Sequence, residues 1–130
     1  PEDFTDEQRM IADTAADFAL HGRLFVGPRV PVPAWGEPLA ADLSAVRVEL
    51  MCDGEVKDRG VGSVVLDGPL QALKTLIDSM AAVTPQWQVA AGDVITTGTI
   101  TDAWPLAAGQ RWSTGLSDKR LSPLTLQIEA

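Results

Sequence analysis

A short run of threonines around one glycine, residues 96–99, is the part of the sequence best suited to hold a small ligand. A glycine inside a predicted strand lets a ligand approach the backbone, and the neighbouring hydroxyls and amides can donate hydrogen bonds to a carboxylate. Threonines also favour strands, and a glycine among them is typical of a bulge. The run by itself therefore fits a carboxylate site or a purely structural strand.

The single histidine and the single cysteine, His21 and Cys52, limit the chemistry available to the chain. One cysteine cannot form an intrachain disulfide, and one residue of each type excludes a zinc finger. His21 precedes Gly22 at the end of a predicted helix, and Cys52 ends an alternation of apolar and charged residues. Both are interpreted as structural, and no catalytic residue is assigned from the sequence.

Acidic residues cluster at the start of the chain, at Glu2, Asp3, Asp6 and Glu7. Carboxylates at a helix N-terminus are favoured by the helix dipole, so this cluster indicates a solvated first turn rather than a Mg²⁺ site. The sequence contains no phosphate-binding loop, dinucleotide glycine motif or pair of cysteines at metal-ligand spacing. It therefore predicts no metal ligand in this chain.

Length and charge restrict the class of protein further. The chain has 130 residues, 45% of them hydrophobic, which predicts a single globular domain over residues 1–130. Its net charge of −8 would repel a phosphate backbone, so nucleic-acid binding is excluded. No apolar run is long enough to span a membrane, and no basic start followed by an apolar stretch indicates an uncleaved signal peptide. We expect a cytoplasmic protein.

The first element predicted to position these residues is an N-terminal helix. A capping box at residues 5–8 starts a helix that extends to about residue 20, with apolar residues at three- and four-residue spacing. A short strand at 24–26 leads into a loop over 27–38, where four prolines remove backbone donors.

A hairpin and a second helix follow. Residues 46–52 alternate between apolar and charged, Asp53-Gly54 can form a tight turn, and 55–61 form the return strand. Pro69 suits the first turn of a helix, because its missing N–H has no partner there. The apolar stripe of this helix consists of Leu70, Leu73, Leu76, Ile77 and Met80.

The rest of the chain is predicted to be strands, at 94–100, 111–114 and 124–128. Segments 90–98 and 107–115 both open with Ala-Ala-Gly, which we interpret as recurring turn chemistry rather than a duplicated domain. Two helices among about six short strands predict an α+β fold, mostly β, with a mixed sheet.

Taken in order, the motifs between Asp42 and Ile128 resemble the C-terminal part of the 2-keto-4-pentenoate hydratase and 4-oxalocrotonate decarboxylase family, within the fumarylacetoacetate hydrolase superfamily. The motifs are Asp42-Leu43, Asp53-Gly54-Glu55-Val56, residues 60–73 and residues 92–99. Residues 16–27 resemble a family helix that commonly reads Ala-Asp-Asn-Ala-Ser. Phe18 and Leu20 stand where the family usually has Asn and Ser, which implies a different substrate or a lost activity.

The resemblance implies a site for a small 2-keto acid and a divalent metal, Mg²⁺ or Mn²⁺. Such a metal would hold the carboxylate and keto oxygens and stabilise an enolate. In the family its ligands are a Glu-x-Glu pair and a further acidic residue that would precede Pro1, so none is carried onto this chain. Thr97, Gly98 and Thr99 are carried over as a substrate-facing strand, and Asp17 as a second wall of the site.

The leading hypothesis is that the chain is part of a metal-dependent hydratase or decarboxylase-like lyase that acts on a small 2-keto acid of aromatic catabolism. The chain alone is then expected to be inactive. One alternative is a non-catalytic domain of the same fold that binds a small acid or a partner subunit. Another is a hydrolase of the acylpyruvate or fumarylacetoacetate type, which cleaves a C–C bond.

The resemblance also implies an association. Family members are about twice as long as this chain, so a half-length piece would expose the surface that the other half covers. We expect a homo-oligomer or association with an upstream half of the same protein, without nucleic acid or membrane partners.

Overall fold

The computed structural model describes Thr5 and residues 22–34, 36–86 and 88–129. The predicted N-terminal helix lies outside these residues, and with it Asp17, Phe18, Leu20 and His21. Among the described residues, no helix is both long enough and apolar enough to cross a membrane.

The centre of the fold is a four-stranded sheet in the order β2-β1-β3-β4. The strands are β1 (Arg47–Cys52), β2 (Glu55–Val61), β3 (Arg111–Leu116) and β4 (Thr125–Gln127). All three strand pairs of this described sheet are antiparallel, where the sequence predicted a mixed sheet. The reason is that a hairpin joins β1 to β2, and β3 returns along the other edge of β1 in the opposite direction.

The predicted hairpin is confirmed. Asp53 and Gly54 have φ angles of 51° and 84°, so both occupy the left-handed region that a two-residue turn requires. The register shifts between Leu50 and Met51, where a bulge interrupts the ladder to β2.

Two helices accompany the sheet, and the predicted α+β class is confirmed. Helix α1 (Leu39–Ala45) follows Pro38 and was not predicted, because its seven residues are too few to show a helical period. Helix α2 (Pro69–Val83) begins at the predicted proline. Short 3-10 turns occupy Val32–Ala34 and Gly62–Val64.

Two predicted strands are wrong. Residues 24–26 and 94–100 form no strand in the structure. Their sequences favour an extended backbone, but a strand also needs a neighbour to accept its hydrogen bonds, and none of the described residues provides one. The predictions at 111–114 and 124–128 are confirmed as β3 and β4, with ends that differ by one or two residues.

The buried apolar side chains of the described region are few. They are Val46, Cys52, Val65, Ala72 and Trp112. Cys52 and Trp112 are ladder partners on β1 and β3, so the interpretation of the cysteine as a buried strand residue is confirmed. The Trp112 indole N–H donates to the Gln110 side-chain oxygen at 3.0 Å, which satisfies the polar atom of this buried ring.

The two Ala-Ala-Gly segments form the same turn. Gly92 and Gly109 have φ angles of 101° and 85°. The Asp93 carboxylate accepts from the Ala90 amide at 2.7 Å, and the Gln110 side-chain oxygen accepts from the Ala107 amide at 2.8 Å. The interpretation as recurring turn chemistry is confirmed.

Candidate functional site

The candidate ligand segment, Thr97 to Thr99, lies in coil and not in a strand. Thr97 is half-buried, and Gly98 and Thr99 are exposed. Gly98 has a φ of 126°, and a β-carbon there would lie 2.9 Å from Val65 Cγ1. The glycine is therefore required by the backbone and by close packing on Val65, whereas contact with a substrate stays a prediction.

The end of this segment is anchored on β2. A β-carbon at Gly60 would lie 1.9 Å from the Ile100 carbonyl oxygen, so only glycine permits this approach. The Asp58 carboxylate accepts a hydrogen bond from the Asp102 amide at 2.7 Å and another from the Arg59 amide at 2.7 Å. These contacts fix where the polypeptide leaves the threonine run, and they explain the glycine that begins the motif of residues 60–73.

A cleft of about 480 Å³ adjoins the same anchor point. Its lining combines two arginines and one glutamate with a glycine and aliphatic side chains. The lining residues are Arg47, Val48, Glu49, Arg59, Gly60, Val61, Val64 and Ile100. Arg59 Nε donates to Glu49 Oε1 at 2.7 Å, which neutralises one of the arginines. The Arg47 guanidinium forms no ion pair with the described residues and is available to a carboxylate.

The sequence analysis did not single out this cleft. Arg47, Glu49 and Arg59 alternate along two strands as ordinary exposed residues do, and only the ladder register places Glu49 opposite Arg59. The cleft and the threonine run share one connection, Ile100, which lines the cleft and directly follows Thr99 in the chain.

Asp42, the first residue of the Asp42-Leu43 motif, belongs to an ion-pair cluster. Arg120 Nη2 donates to Asp42 Oδ2 at 2.6 Å, and Arg120 Nε donates to Asp118 Oδ1 at 2.9 Å. The hydrogen bonds from Arg120 lower the pKa of Asp118 to about 2, and the two carboxylates raise the pKa of Arg120. The cluster fastens α1 to the connection between β3 and β4.

The remaining shifted groups do not indicate a nucleophile. Burial and then the neighbouring Asp53 carboxylate raise the pKa of the Cys52 thiol, which keeps it protonated and unreactive at neutral pH. Lys57 Nζ lies 2.9 Å from Glu55 Oε2, and this pair lowers the pKa of Glu55 and raises the pKa of Lys57.

A divalent metal has no set of ligands in the described part of the chain. No three or more His, Cys, Asp or Glu side chains converge there in a way that would hold an ion. Asp17, the proposed second wall of the site, lies outside the described residues.

Comparison with known proteins shows where this α+β domain belongs. No protein-family model matches the chain. A 2-hydroxyhexa-2,4-dienoate hydratase from Comamonas testosteroni is 31% identical over 102 residues, which cover 78% of this chain and 36% of the hydratase.

Solved structures agree with that match. 4-Oxalocrotonate decarboxylase from Pseudomonas putida G7, complexed with magnesium and adipate, superposes with a TM-score of 0.59 at 30% identity. The superposition covers 67% of this chain and 32% of that chain. The same decarboxylase complexed with calcium and acetate gives a TM-score of 0.58.

These matches confirm the resemblance to the 2-keto-4-pentenoate hydratase and 4-oxalocrotonate decarboxylase family that the motifs indicate. The chain spans 36% of the matched hydratase and 32% of the matched decarboxylase, a smaller share than the half that we expected.

Proposed function

We propose that this chain is part of a hydratase or decarboxylase-like lyase that acts on a small 2-keto acid of aromatic catabolism. The observation that carries the proposal is the 31% identity to 2-hydroxyhexa-2,4-dienoate hydratase over 102 residues. The match to a decarboxylase supports the same substrate class, because 4-oxalocrotonate is a 2-keto acid and 2-hydroxyhexa-2,4-dienoate is the enol of one.

The contribution of this chain to that chemistry is to hold the acid. The hydroxyls of Thr97 and Thr99 and the amide of Gly98 can donate to a carboxylate, and the Arg47 guanidinium can neutralise a second acidic group at the nearby cleft. The structures of the related decarboxylase contain magnesium or calcium, so we propose a divalent metal for the complete enzyme. Since the described residues offer no ligand set, its ligands would lie elsewhere in the protein.

We further propose that the working enzyme is cytoplasmic and is completed by association, either as a homo-oligomer or with an upstream half of the protein. The isolated chain is then expected to bind the acid without turning it over.

A binding experiment tests this proposal. We would titrate the isotopically labelled chain with 2-oxopent-4-enoate and follow the backbone amide signals by NMR. The expected result is saturable movement of the Thr97, Gly98 and Thr99 signals. Replacing Thr97 with Val should weaken binding about tenfold, because one hydrogen bond to a charged group is lost. Thr125→Val, an exposed threonine on β4, is the matched control.

The same experiment separates the alternatives. An acid that binds elsewhere, or not at all, would remove Thr97 and Thr99 from the site and favour the non-catalytic domain. If the completed protein cleaved an acylpyruvate while leaving 2-hydroxyhexa-2,4-dienoate unchanged, the hydrolase branch would replace the lyase.

A further inference from the structure

In the described part of the chain, helix α2 leaves its apolar stripe largely uncovered. Of the helix residues Pro69–Val83, only Ala72 is buried. Leu76 is 39% exposed, Ile77 46% and Val83 79%. These side chains share one face of the helix because they recur at three- and four-residue spacing. An amphipathic helix normally buries such a face, so the stripe is a surface that another structure can cover.

The stripe has the same pattern in both directions along the helix. Its apolar positions are symmetric about the point between residues 76 and 77, so reversing the helix exchanges the members of three pairs. The pairs are Leu70 with Val83, Leu73 with Met80, and Leu76 with Ile77. A two-fold symmetric dimer needs a patch that is complementary to itself, in which residue i of one copy contacts residue j of the other and j contacts i. Two α2 helices that pack antiparallel about this midpoint would meet in that way.

The stripe also carries no charge that would repel a second copy. The charged residues of α2 are Lys74 and Asp78, which form an ion pair one helical turn apart. Neither belongs to the stripe, and their charges cancel. The chain as a whole has a net charge of −8, which opposes the association of two copies. The α2 stripe is therefore an uncharged surface on which two copies can meet.

A groove beside the stripe is positioned to receive a side chain of the second copy. It has a volume of about 400 Å³ and lies between the second half of α2 and the chain that follows the helix. Its lining residues are Ile77, Met80, Ala81, Pro85, Gln88 and Val89. In the antiparallel arrangement Leu73 of one copy lies opposite Met80 of the other, so the Leu73 side chain would enter this groove. The two-fold symmetry repeats the contact at the other end of the pair.

We propose that the α2 stripe is a homodimer interface, in which two copies of this chain pack their α2 helices antiparallel about the midpoint between Leu76 and Ile77. This dimer specifies the homo-oligomer proposed above, and to that extent it rests on the proposed function. The interface consists of one helix and its groove from each copy, which is at the small end of the range for specific protein contacts. We therefore expect a dissociation constant in the micromolar range.

Sedimentation equilibrium of the 130-residue chain, without substrate, measures this association. The expected result is a reversible equilibrium between monomer and dimer. Ile77→Glu places a charge at the centre of the stripe and should weaken the dimer by at least about tenfold, because the carboxylate would be buried against apolar groups. Gln71→Glu, at an exposed position on the opposite face of α2, adds the same charge and should leave the dimer unchanged. Because Ile77 and Gln71 are both exposed, both variants should keep the fold, which circular dichroism checks.

Disulfide cross-linking tests the direction in which the helices pack. A Leu73→Cys chain mixed with a Met80→Cys chain should form a disulfide under mild oxidation, because these positions face each other across an antiparallel pair. The Leu73→Cys chain alone should react slowly, because the two copies of position 73 would lie about 10 Å apart along the helix axis. The native thiol, Cys52, is buried and does not compete.

Three results would overturn the proposal. A chain that stays monomeric up to millimolar concentration would show that α2 has another occupant, in this chain or in the complete enzyme. A dimer that Ile77→Glu does not weaken would place the interface elsewhere. Faster cross-linking of the Leu73→Cys chain with itself than with the Met80→Cys chain would show a parallel pair. Because no acid is present, each of these results is distinct from a failure of the proposed acid binding.

Discussion

At the scale of single residues, the clearest electrostatic feature is the cluster of Asp42, Arg120 and Asp118. Arg120 joins the Asp42 carboxylate on α1 to the Asp118 carboxylate in the loop after β3. Asp42 and Arg120 are 78 positions apart in the sequence. Asp118 also accepts from the Arg120 amide at 2.8 Å. The Asp118 carboxylate is stabilised in its charged form by three donor groups of one residue.

This cluster predicts that the stability of the folded chain depends on pH in the acidic range. The folded pKa of Asp118 is about 2, below its ordinary value of 3.8, so its contribution is fully present above about pH 4 and is lost as the pH falls toward 2. Arg120→Ala should return the pKa of Asp118 toward its ordinary value and remove that part of the acid dependence. Carboxyl NMR titration measures the pKa directly.

Lys74→Ala is the matched control for Arg120→Ala, because Lys74 pairs with Asp78 on the exposed face of α2. It should leave the titration of Asp118 unchanged. An unaltered Asp118 pKa in Arg120→Ala would contradict the assignment of the shift to this arginine.

At the scale of elements, two glycines set how closely the parts of the fold approach. Gly60 on β2 lies under the Ile100 carbonyl, and a β-carbon at Gly62 would lie 2.1 Å from the Leu43 carbonyl oxygen of α1. Both obstacles are backbone atoms, which cannot move aside as a side chain can. The Gly60-Val61-Gly62 motif therefore joins β2 to both the threonine segment and helix α1.

Gly60→Ala should destabilise the chain by about 2–3 kcal/mol, because the added methyl group overlaps backbone in a packed region. Urea denaturation followed by tryptophan fluorescence measures the change. Gly22→Ala, where a β-carbon meets no atom within 4 Å, should change stability by less than about 0.5 kcal/mol. Equal effects of the two substitutions would show that Ile100 does not lie against Gly60 in solution.

At the scale of the whole molecule, the described chain buries few large side chains and leaves many exposed. Leu66, Ile77, Val83 and Leu106 are exposed. Ile77 and Val83 lie on α2, and the other two lie outside the helices and strands. A protein that exposes so many apolar groups gains stability when another surface covers them. We therefore expect the properties of the complete enzyme, metal binding included, to appear only after association.

Metal addition tests this expectation. A ligand that binds only the folded state raises the melting temperature according to its occupancy. Millimolar Mg²⁺ or EDTA should each change the melting temperature of the isolated chain by less than about 1 °C, because the described residues supply no ligand set. Mg²⁺ should raise the melting temperature once the chain is part of the complete enzyme. A clear stabilisation of the isolated chain by Mg²⁺ would place a metal site within it.

The local features of this fold were determined by the sequence itself. The Asp53-Gly54 turn, the start of α2 at Pro69 and the paired Ala-Ala-Gly turns each depend on the backbone preferences of two to four adjacent residues. The family relation was also evident from the order of short motifs, because these include the glycines that close packing requires. The constraints on the turns and on the start of the helix act between neighbouring residues, so they are visible without the fold.

Only the tertiary structure decided which extended segments became strands and which charges met. Residues 94–100 are richer in β-branched residues than β3, but β3 has β1 and β4 beside it, whereas 94–100 has no described partner. Asp42 meets Arg120, and Glu49 meets Arg59, because the chain path and the ladder register bring them together. Strand pairing and ion pairing are satisfied by groups distant in sequence, and a local pattern cannot specify whether the distant group is present.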